Sequence, residues 1–242
     1  MEGYGEEDQY PLLIEKLFGF SLSQLGIELY NIYGVSGFIG KKYERYGALE
    51  RFIDSYHYRH TLVFLILDND KRVLEVKKNL VKAYSKFSSS RRVTRDEYIH
   101  VWNTCVEFDN FSHIEIAQAM TELGKNQYVF TVDEIAECEA TFVTRNGDTL
   151  SKLYKEKLDY ELAKTELLKI LFGYIYSDIA SELDESGRPK RPIGRVLQKV
   201  IELASHNPQP ITRDVWEQNQ QSGYFGQPIK PVANLPNEPI SE

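Results

Sequence analysis

The order of apolar and polar residues predicts three β-strands separated by helices. The clearest strand covers residues 62–67, an unbroken apolar run followed directly by Asp68-Asn69-Asp70. A run without alternation is typical of a strand buried on both faces, as in a parallel α/β sheet. Residues 27–33 alternate between apolar and polar positions, which predicts a second strand, and we expect a third over residues 98–108.

Apolar residues at helical spacing predict the helices that connect and follow these strands. The predicted helices cover residues 11–19, 42–56, 72–87, 111–123, 132–142, 159–179 and 192–205. Pro11 is expected near the first turn of the first helix, where its missing N–H has little effect. Thr131 or Asp133 is expected to cap the helix over residues 132–142.

This order of elements predicts an α/β fold in which helices flank a parallel sheet. We expect residues 1–145 to form the α/β domain and residues 146–205 to add a helical part to the same module. Residues 206–242 are rich in Pro, Asn and Gln and contain few apolar residues. For this last segment we expect a largely disordered tail.

The overall composition limits the functional classes. The formal net charge of -7 argues against a broadly cationic nucleic-acid binder, but it is compatible with an enzyme that meets phosphates through metal ions. The two cysteines suit a reducing cytoplasm rather than a disulfide scaffold. No apolar stretch approaches the roughly 18 residues of a membrane span, so we expect a cytoplasmic protein without a membrane partner.

The acidic end of the apolar run is the first candidate for chemistry. Open α/β sheets place their ligand sites at the carboxyl ends of strands, where Asp68 and Asp70 are expected. Side chains two residues apart in a strand point the same way at a separation of about 7 Å, which can bracket one or two metal ions. The alternative is that Asp-Asn-Asp only starts a turn and caps the next helix. These residues alone leave both interpretations open.

The glycine-rich segment over residues 34–41 does not match a phosphate-binding loop. That loop requires G-x-x-x-x-G-K followed by Ser or Thr. Here Gly34 and Gly40 are separated by one residue too many, and Lys42 replaces the hydroxyl residue. A tight turn between a strand and a helix is the preferred interpretation.

The N-terminal Glu2-Gly3 and Glu6 extend the pattern. In order, the chain contains E-G-x-x-E, a helix, a strand, a glycine turn, a helix, an apolar strand and D-x-D. This order resembles the Toprim domains of topoisomerases, primases and certain nucleases, and E-G-x-x-E resembles specifically the OLD (overcoming lysogenisation defect) family of nucleases. The resemblance covers about residues 1–205 and implies a Rossmann-type parallel sheet. Because a strand precedes the E-G motif in that family and only Met1 does so here, we expect either a misplaced start codon or an N-terminally truncated fragment of a longer protein. The resemblance also implies an upstream ATPase domain.

The resemblance implies an acidic site with two bound Mg²⁺ or Mn²⁺ ions. The residues that match its metal ligands are Glu2, Glu6, Asp68, Asp70 and Glu107. Family members often carry a hydroxyl residue two positions before the last acid, and Cys105 takes that place here. Lys164 resembles a lysine that, in the family, lies on a late helix and faces the metals. Lys157 and Lys169 lie in similar sequence surroundings and are alternatives for this match. The implied catalytic residues are Glu2, Asp68 and Lys164.

With these residues, the chain is expected to be a metal-dependent endonuclease that hydrolyses phosphodiester bonds of DNA or RNA. The basic residues expected along the nucleic-acid backbone are Lys71, Arg72, Lys78, Arg91 and Arg92. A solvated helix face is the alternative for this basic track. A second, smaller basic patch consists of Arg188, Lys190, Arg191 and Arg195.

A rival hypothesis comes from a different functional class. It is a catalytically silent interaction module that keeps the Toprim fold and works with an ATPase partner. A primase or topoisomerase activity is less favoured, because the sequence contains neither a nucleophilic Tyr motif nor a zinc module. The oligomeric state is left open, with a homo-oligomer as one option.

Overall fold

The described residues fold into α-helices and a small pair of strands. The computed structural model describes residues 4–31, 62–69, 73–81, 94–144 and 149–206. Its α-helices are α1 (Tyr4–Phe18), α2 (Val73–Val81), α3 (Val106–Asn110), α4 (His113–Leu123), α5 (Val132–Thr141), α6 (Thr149–Leu158), α7 (Lys164–Ser177) and α8 (Pro192–His206). The strands are β1 (Leu65–Leu67) and β2 (Ile99–Val101), and short 3-10 helices cover Asp96–Tyr98 and Ile179–Glu182. None of the described helices combines the length and the apolar sequence that crossing a membrane requires.

The two strands form a parallel pair. Leu65 lies opposite Ile99, and Leu67 lies opposite Val101. Parallel neighbours need a crossover connection, and α2 lies between these strands in the chain. The protein is therefore mixed α/β, as the sequence predicts, and mostly helical. The described residues contain a two-stranded sheet and do not establish the larger Rossmann-type sheet.

The apolar run gives β1 its buried position. All three residues of the strand are buried, which confirms the prediction of a strand buried on both faces. The paired part is shorter than the run. Before it, the Thr94 hydroxyl donates a hydrogen bond to the Val63 carbonyl. At its end, the Trp102 N–H donates to the Leu67 carbonyl at 3.0 Å.

Residues 27–31 correct the prediction of a second strand. They are not paired into a strand, although their burial does alternate. Ile27 and Leu29 pack partly against the core, and Asn31 donates from Nδ2 to Glu7 of α1 at 3.3 Å. Alternation reports which side chains face the core, whereas a strand also needs backbone hydrogen bonds to a neighbour. The rest of this predicted strand lies outside the described residues.

The third predicted strand contains a turn and the start of a helix. β2 ends well before Glu107, which lies in the first turn of α3 and not at a strand end. The turn is stabilised by Asp109, whose carboxylate accepts the N–H groups of Asn103 at 2.6 Å and Thr104 at 2.9 Å. Apolar residues lie on both sides of the turn, at Trp102 and at Cys105 and Val106, so the hydrophobic pattern predicted one continuous strand.

The core lies where α1 packs against α7 and α8. Tyr10, Leu13 and Ile14 of α1 are almost fully buried, as are Leu171 and Phe172 of α7. The Tyr10 and Phe172 rings lie 6.2 Å apart between centroids. Burial of these five side chains gives this interface a substantial share of the hydrophobic stabilisation.

α1 is longer than predicted. It begins at Tyr4, so Pro11 lies inside the helix and not near its first turn. Its start lies very close to α7, because a Cβ added at Gly5 would be 2.6 Å from Leu168 Cδ1. Only glycine allows the two helices to approach this closely without displacing the leucine.

Side-chain caps define the starts of two helices. Ser112 and Glu115 form a reciprocal capping box at α4, and Thr131 and Glu134 form another at α5. The second box confirms Thr131 as the cap and shows that the alternative, Asp133, was wrong. In both boxes the hydroxyl accepts a backbone N–H while the glutamate accepts the N–H of the capping residue.

The later helices agree with the predicted order but differ in length. The helix predicted over residues 159–179 begins only at Lys164, because Asp159 adopts a left-handed conformation with φ of 60°. Gly173 lies inside α7 without interrupting it. The helix predicted over residues 192–205 is confirmed as α8. The predicted helix over residues 42–56 lies outside the described residues, as do the glycine-rich segment and the predicted tail.

Glu134 connects the start of α5 to α6. Its carboxylate accepts hydrogen bonds from the Tyr128 hydroxyl at 2.6 Å and the Thr131 N–H at 3.0 Å, and Lys157 Nζ lies 2.9 Å away. Partial burial disfavours the charged carboxylate, but these donors outweigh it and lower the pKa of Glu134 to about 2. A carboxyl with a lowered pKa stabilises the folded protein above its ordinary pKa, and this contribution is lost as the pH falls toward the folded value.

We therefore expect Glu134→Gln to reduce the free energy of unfolding at pH 7. Gln preserves the capping geometry but removes the charge. The difference from wild type should shrink as the pH falls from the ordinary glutamate pKa of about 4.3 to about 2. Urea denaturation across this pH range measures the difference, with the exposed Glu137→Gln on the same helix as the control. A difference that stays constant with pH would contradict the assignment.

Candidate acidic site

One of the predicted acidic ligands, Glu6, is hydrogen-bonded to the buried hydroxyl of Tyr10, and two others, Asp68 and Glu107, act on that hydroxyl electrostatically. The Tyr10 O–H donates to Glu6 Oε1 at 2.6 Å, and both side chains are buried. Burial raises the pKa of Tyr10 well above its usual value, and the nearby charges of Glu6, Asp68 and Glu107 raise it further. The tyrosine therefore remains a neutral hydrogen-bond donor to Glu6.

A second neutral group, the Cys105 thiol, is affected by two of the same carboxylates. Burial raises the pKa of the Cys105 thiol well above its usual value, and the charges of Glu107 and Asp68 add to this shift. Without a bound metal ion, this environment favours the protonated thiol of Cys105.

Each carboxylate comes from a different element of the fold. Glu6 lies in the first turn of α1, Asp68 directly follows β1, and Glu107 lies in the first turn of α3 after β2. Because β1 and β2 are parallel, their carboxyl ends meet at the same edge of the sheet, where ligand sites of α/β proteins are found. The location agrees with the sequence prediction, although a helix rather than a strand carries Glu107.

The loop after β2 is attached to the end of β1 through Asn69. The Asn69 N–H donates to the Thr104 carbonyl at 2.9 Å. Its side-chain Nδ2 donates to the Asn103 carbonyl at 2.8 Å. The sequence reasoning did not assign a role to this middle residue of D-x-D. The residue type was the one indication of this role in the sequence, because an asparagine side chain can donate a hydrogen bond and an aspartate carboxylate cannot.

Lys164 begins α7 and is exposed. The first turns of α7 and α1 are in contact, since a Cβ added at Gly5 would lie 3.4 Å from the Thr165 Cα. The two alternative lysines lie beside other carboxylates. Lys157 forms an ion pair with Glu134, and Lys169 Nζ lies 3.8 Å from Glu166 Oε2. Of the three, Lys164 is the one whose helical turn packs beside the turn that carries Glu6.

Several predicted site residues lie outside the described ranges. These are Glu2, Asp70, Lys71, Arg72, Arg91 and Arg92. Lys78 is described and is exposed on α2. Its neighbour Lys77 forms an ion pair with Asp96 at 3.2 Å. This ion pair joins α2 to the 3-10 helix that precedes β2.

The described carboxylates supply part of a metal-binding donor set. Their oxygens suit Mg²⁺ and Mn²⁺, which prefer hard ligands. Within the described ranges, however, no group of three or more His, Cys, Asp or Glu side chains is arranged to hold a metal ion. Two of the five predicted ligands, Glu2 and Asp70, are outside those ranges. The donor chemistry fits the predicted ions, while the described residues alone do not complete a centre.

The second basic patch is built into the fold. Arg191 Nη2 lies 2.7 Å from Glu115 Oε1, and its Nε lies 2.8 Å from Glu182 Oε2. Lys190 Nζ donates to the Ser181 carbonyl at 2.6 Å, and Arg195 Nε donates to the Pro189 carbonyl at 3.0 Å. These cations join neighbouring segments to one another, and the charge of Arg191 is balanced by two glutamates.

The comparisons with known proteins do not add to this geometry. The chain has no significant match among family models, curated proteins or solved structures. Its function must therefore be argued from the site itself.

Proposed function

We propose that the chain is the Toprim-like nuclease part of a longer OLD-like, ATP-dependent endonuclease that hydrolyses DNA or RNA with two Mg²⁺ or Mn²⁺ ions. The observation that carries the proposal is that Asp68 follows β1 and Glu107 follows β2 at one edge of the parallel pair, while Glu6 of α1 accepts a hydrogen bond from the buried Tyr10 hydroxyl. These residues are far apart in the chain and come from three different elements.

The burial of these acids favours a functional role. Glu6 and Glu107 are more than nine-tenths buried, and removing a carboxylate from water is unfavourable unless it has compensating partners. The Tyr10 hydroxyl supplies one such partner to Glu6. Carboxylates that share a buried region are candidates for a site that holds a divalent cation.

The proposed division of roles follows the residues. Glu2, Glu6, Asp68, Asp70 and Glu107 would hold the ions. Two bound ions would activate a water molecule and stabilise the attacking and leaving oxygens of the phosphodiester. Lys164, at the start of α7, would stabilise negative charge that develops on the phosphate. Lys71, Arg72, Lys78, Arg91 and Arg92 would contact the nucleic-acid backbone.

The setting of the site agrees with this proposal. Cys105 and Cys138 are both buried free thiols, as expected for a protein of the reducing cytoplasm. The proposal also includes the upstream ATPase domain or partner that the resemblance implies.

A catalytically silent Toprim-fold module is the second candidate. The observation that favours it is that the described residues hold no complete group of metal ligands. Under this alternative, the Glu6–Tyr10 hydrogen bond would only stabilise the fold.

Metal dependence separates the two candidates. The purified chain, and any longer product of its gene, should cleave DNA or RNA in Mg²⁺ or Mn²⁺. EDTA should abolish cleavage and excess Mn²⁺ should restore it, because the ions carry the chemistry. Mn²⁺ binding measured by calorimetry gives a second readout. Absence of both Mn²⁺ binding and cleavage would favour the silent module, and cleavage that resists EDTA would contradict the metal mechanism.

A further inference from the structure

The two-residue segment Asn103-Thr104 has all of its backbone hydrogen-bonding groups engaged by two side chains and one amide. Asp109 accepts both N–H groups, at 2.6 Å for Asn103 and 2.9 Å for Thr104. Asn69 donates to both carbonyls, through Nδ2 to Asn103 at 2.8 Å and through its N–H to Thr104 at 2.9 Å. We refer to these four hydrogen bonds as the Asn69–Asp109 clamp.

The clamp joins the two segments that carry acidic site residues. Asn69 directly follows Asp68, and Asp109 lies two residues after Glu107 in α3. The clamp therefore connects the end of β1 to the start of α3 through the loop between them. β1 and β2 are paired over only three residues each, so sheet pairing alone provides few constraints at this edge.

The clamp also explains the polar residue between the two aspartates. An asparagine at this position was open to the interpretation of a helix cap. Instead, its side chain donates to the loop after β2. Aspartate at the same position would have no donor for the Asn103 carbonyl at neutral pH.

We propose that Asn69 and Asp109 are positioning residues that fix Asp68 relative to Glu107 in the acidic site. This inference rests on the proposed metal-dependent function. Groups that hold metal ligands in place without touching the ion commonly change metal affinity by about 10–100-fold when they are removed. The clamp has this role because its hydrogen bonds fix the backbone next to Asp68 and connect it to the short helix that carries Glu107.

The test compares Mn²⁺ affinity in single variants of the full chain. Asn69→Ala removes the Nδ2 donor, and Asp109→Asn keeps one carbonyl acceptor but loses the other. Each is expected to weaken Mn²⁺ binding by at least about 10-fold. Asn103→Ala is the matched control, because Asn103 is exposed and contributes only backbone atoms to the clamp. It should bind Mn²⁺ as wild type does.

A control for general destabilisation comes from the core. Ile135 is fully buried in α5, outside the clamp, so Ile135→Val lowers stability without changing the loop. Hydrogen exchange at the Asn103 and Thr104 amides adds a direct readout, and Asp109→Asn should accelerate exchange there while Ile135→Val leaves those amides as in wild type. Asp109→Asn also retains enough of the clamp to fold if Asp109→Ala does not.

The outcomes distinguish the clamp from the metal site. Weaker Mn²⁺ binding in Asn69→Ala and Asp109→Asn, with normal binding in Asn103→Ala and Ile135→Val, supports the positioning role. Wild-type affinity in both clamp variants would overturn that role and leave the metal site standing. Absence of Mn²⁺ binding by the wild-type chain would overturn the metal site and the positioning role with it.

Discussion

Asp68→Ala is expected to abolish metal-dependent cleavage, with a loss of more than about 100-fold. Mutation of residues that only hydrogen-bond to metal ligands commonly reduces metal affinity or activity by about 10–100-fold. Loss of a direct ligand should reduce activity by more than that. Asp68 is placed at the carboxyl end of β1, and its charge acts on the Tyr10 hydroxyl and the Cys105 thiol. Cleavage assays and Mn²⁺ titration on the same preparation measure the effect.

Two further variants make the Asp68 experiment specific. Asp68→Asn retains the size of the side chain and removes its charge, so it should lose cleavage while the protein remains folded. Asp133→Asn changes an exposed aspartate in the first turn of α5 and should cleave normally. Purified Asp68→Ala protein that cleaves at the wild-type rate would rule out this residue as a metal ligand.

Arg191→Ala is expected to produce the largest loss of stability, about 2–3 kcal/mol in the free energy of unfolding. The guanidinium forms ion pairs with Glu115 and Glu182 and donates to the Asn110 carbonyl at 2.6 Å. It also lies 5.1 Å from the centre of the Phe111 ring. Removing it leaves two poorly exposed carboxylates and a carbonyl without this donor, and chemical denaturation measures the result.

The neighbouring arginine supplies the matched control. Arg188 is exposed and lies 3.4 Å from Asp184, so Arg188→Ala should change stability by less than about 0.5 kcal/mol. Arg191→Lys should restore only part of the lost stability, because lysine cannot bond to several acceptors in one plane. An Arg191→Ala protein with wild-type stability and weakened nucleic-acid binding would instead support the predicted basic patch.

The parts of the fold that were predictable depend on local signals. The buried strand β1 follows from an apolar run, and the start of α5 follows from the Thr131–Glu134 capping box. Both signals are complete within a few neighbouring residues, so no distant contact is needed to interpret them. The spacing of apolar residues in α7 and α8 is a local signal of the same kind.

The parts that were not predictable depend on distant contacts. Residues 27–31 carry a strand pattern but lack a pairing partner among the described residues, and Glu107 lies in a helix because Asp109 stabilises the preceding turn. Arg191 reads as a free cation in the sequence, although Glu115, which lies 76 positions away, pairs with it.

The acidic site combines both situations. The types of its residues and their order along the chain were sufficient to select Asp68 and Glu107 as candidates. Tyr10 was not selected as a donor, because its role follows from its burial beside Glu6. Asn69 was interpreted only through its aspartate neighbours for the same reason.

Anomalous diffraction from crystals soaked in Mn²⁺ tests the metal site most directly. A manganese peak is expected beside the carboxylates of Asp68 and Glu107, with metal–oxygen distances of about 2.0–2.6 Å. The same peak should be absent in crystals of Asp68→Ala protein treated in the same way. Manganese bound only elsewhere on the protein, with the Asp68 carboxylate uncoordinated at a saturating concentration, would contradict the proposed site.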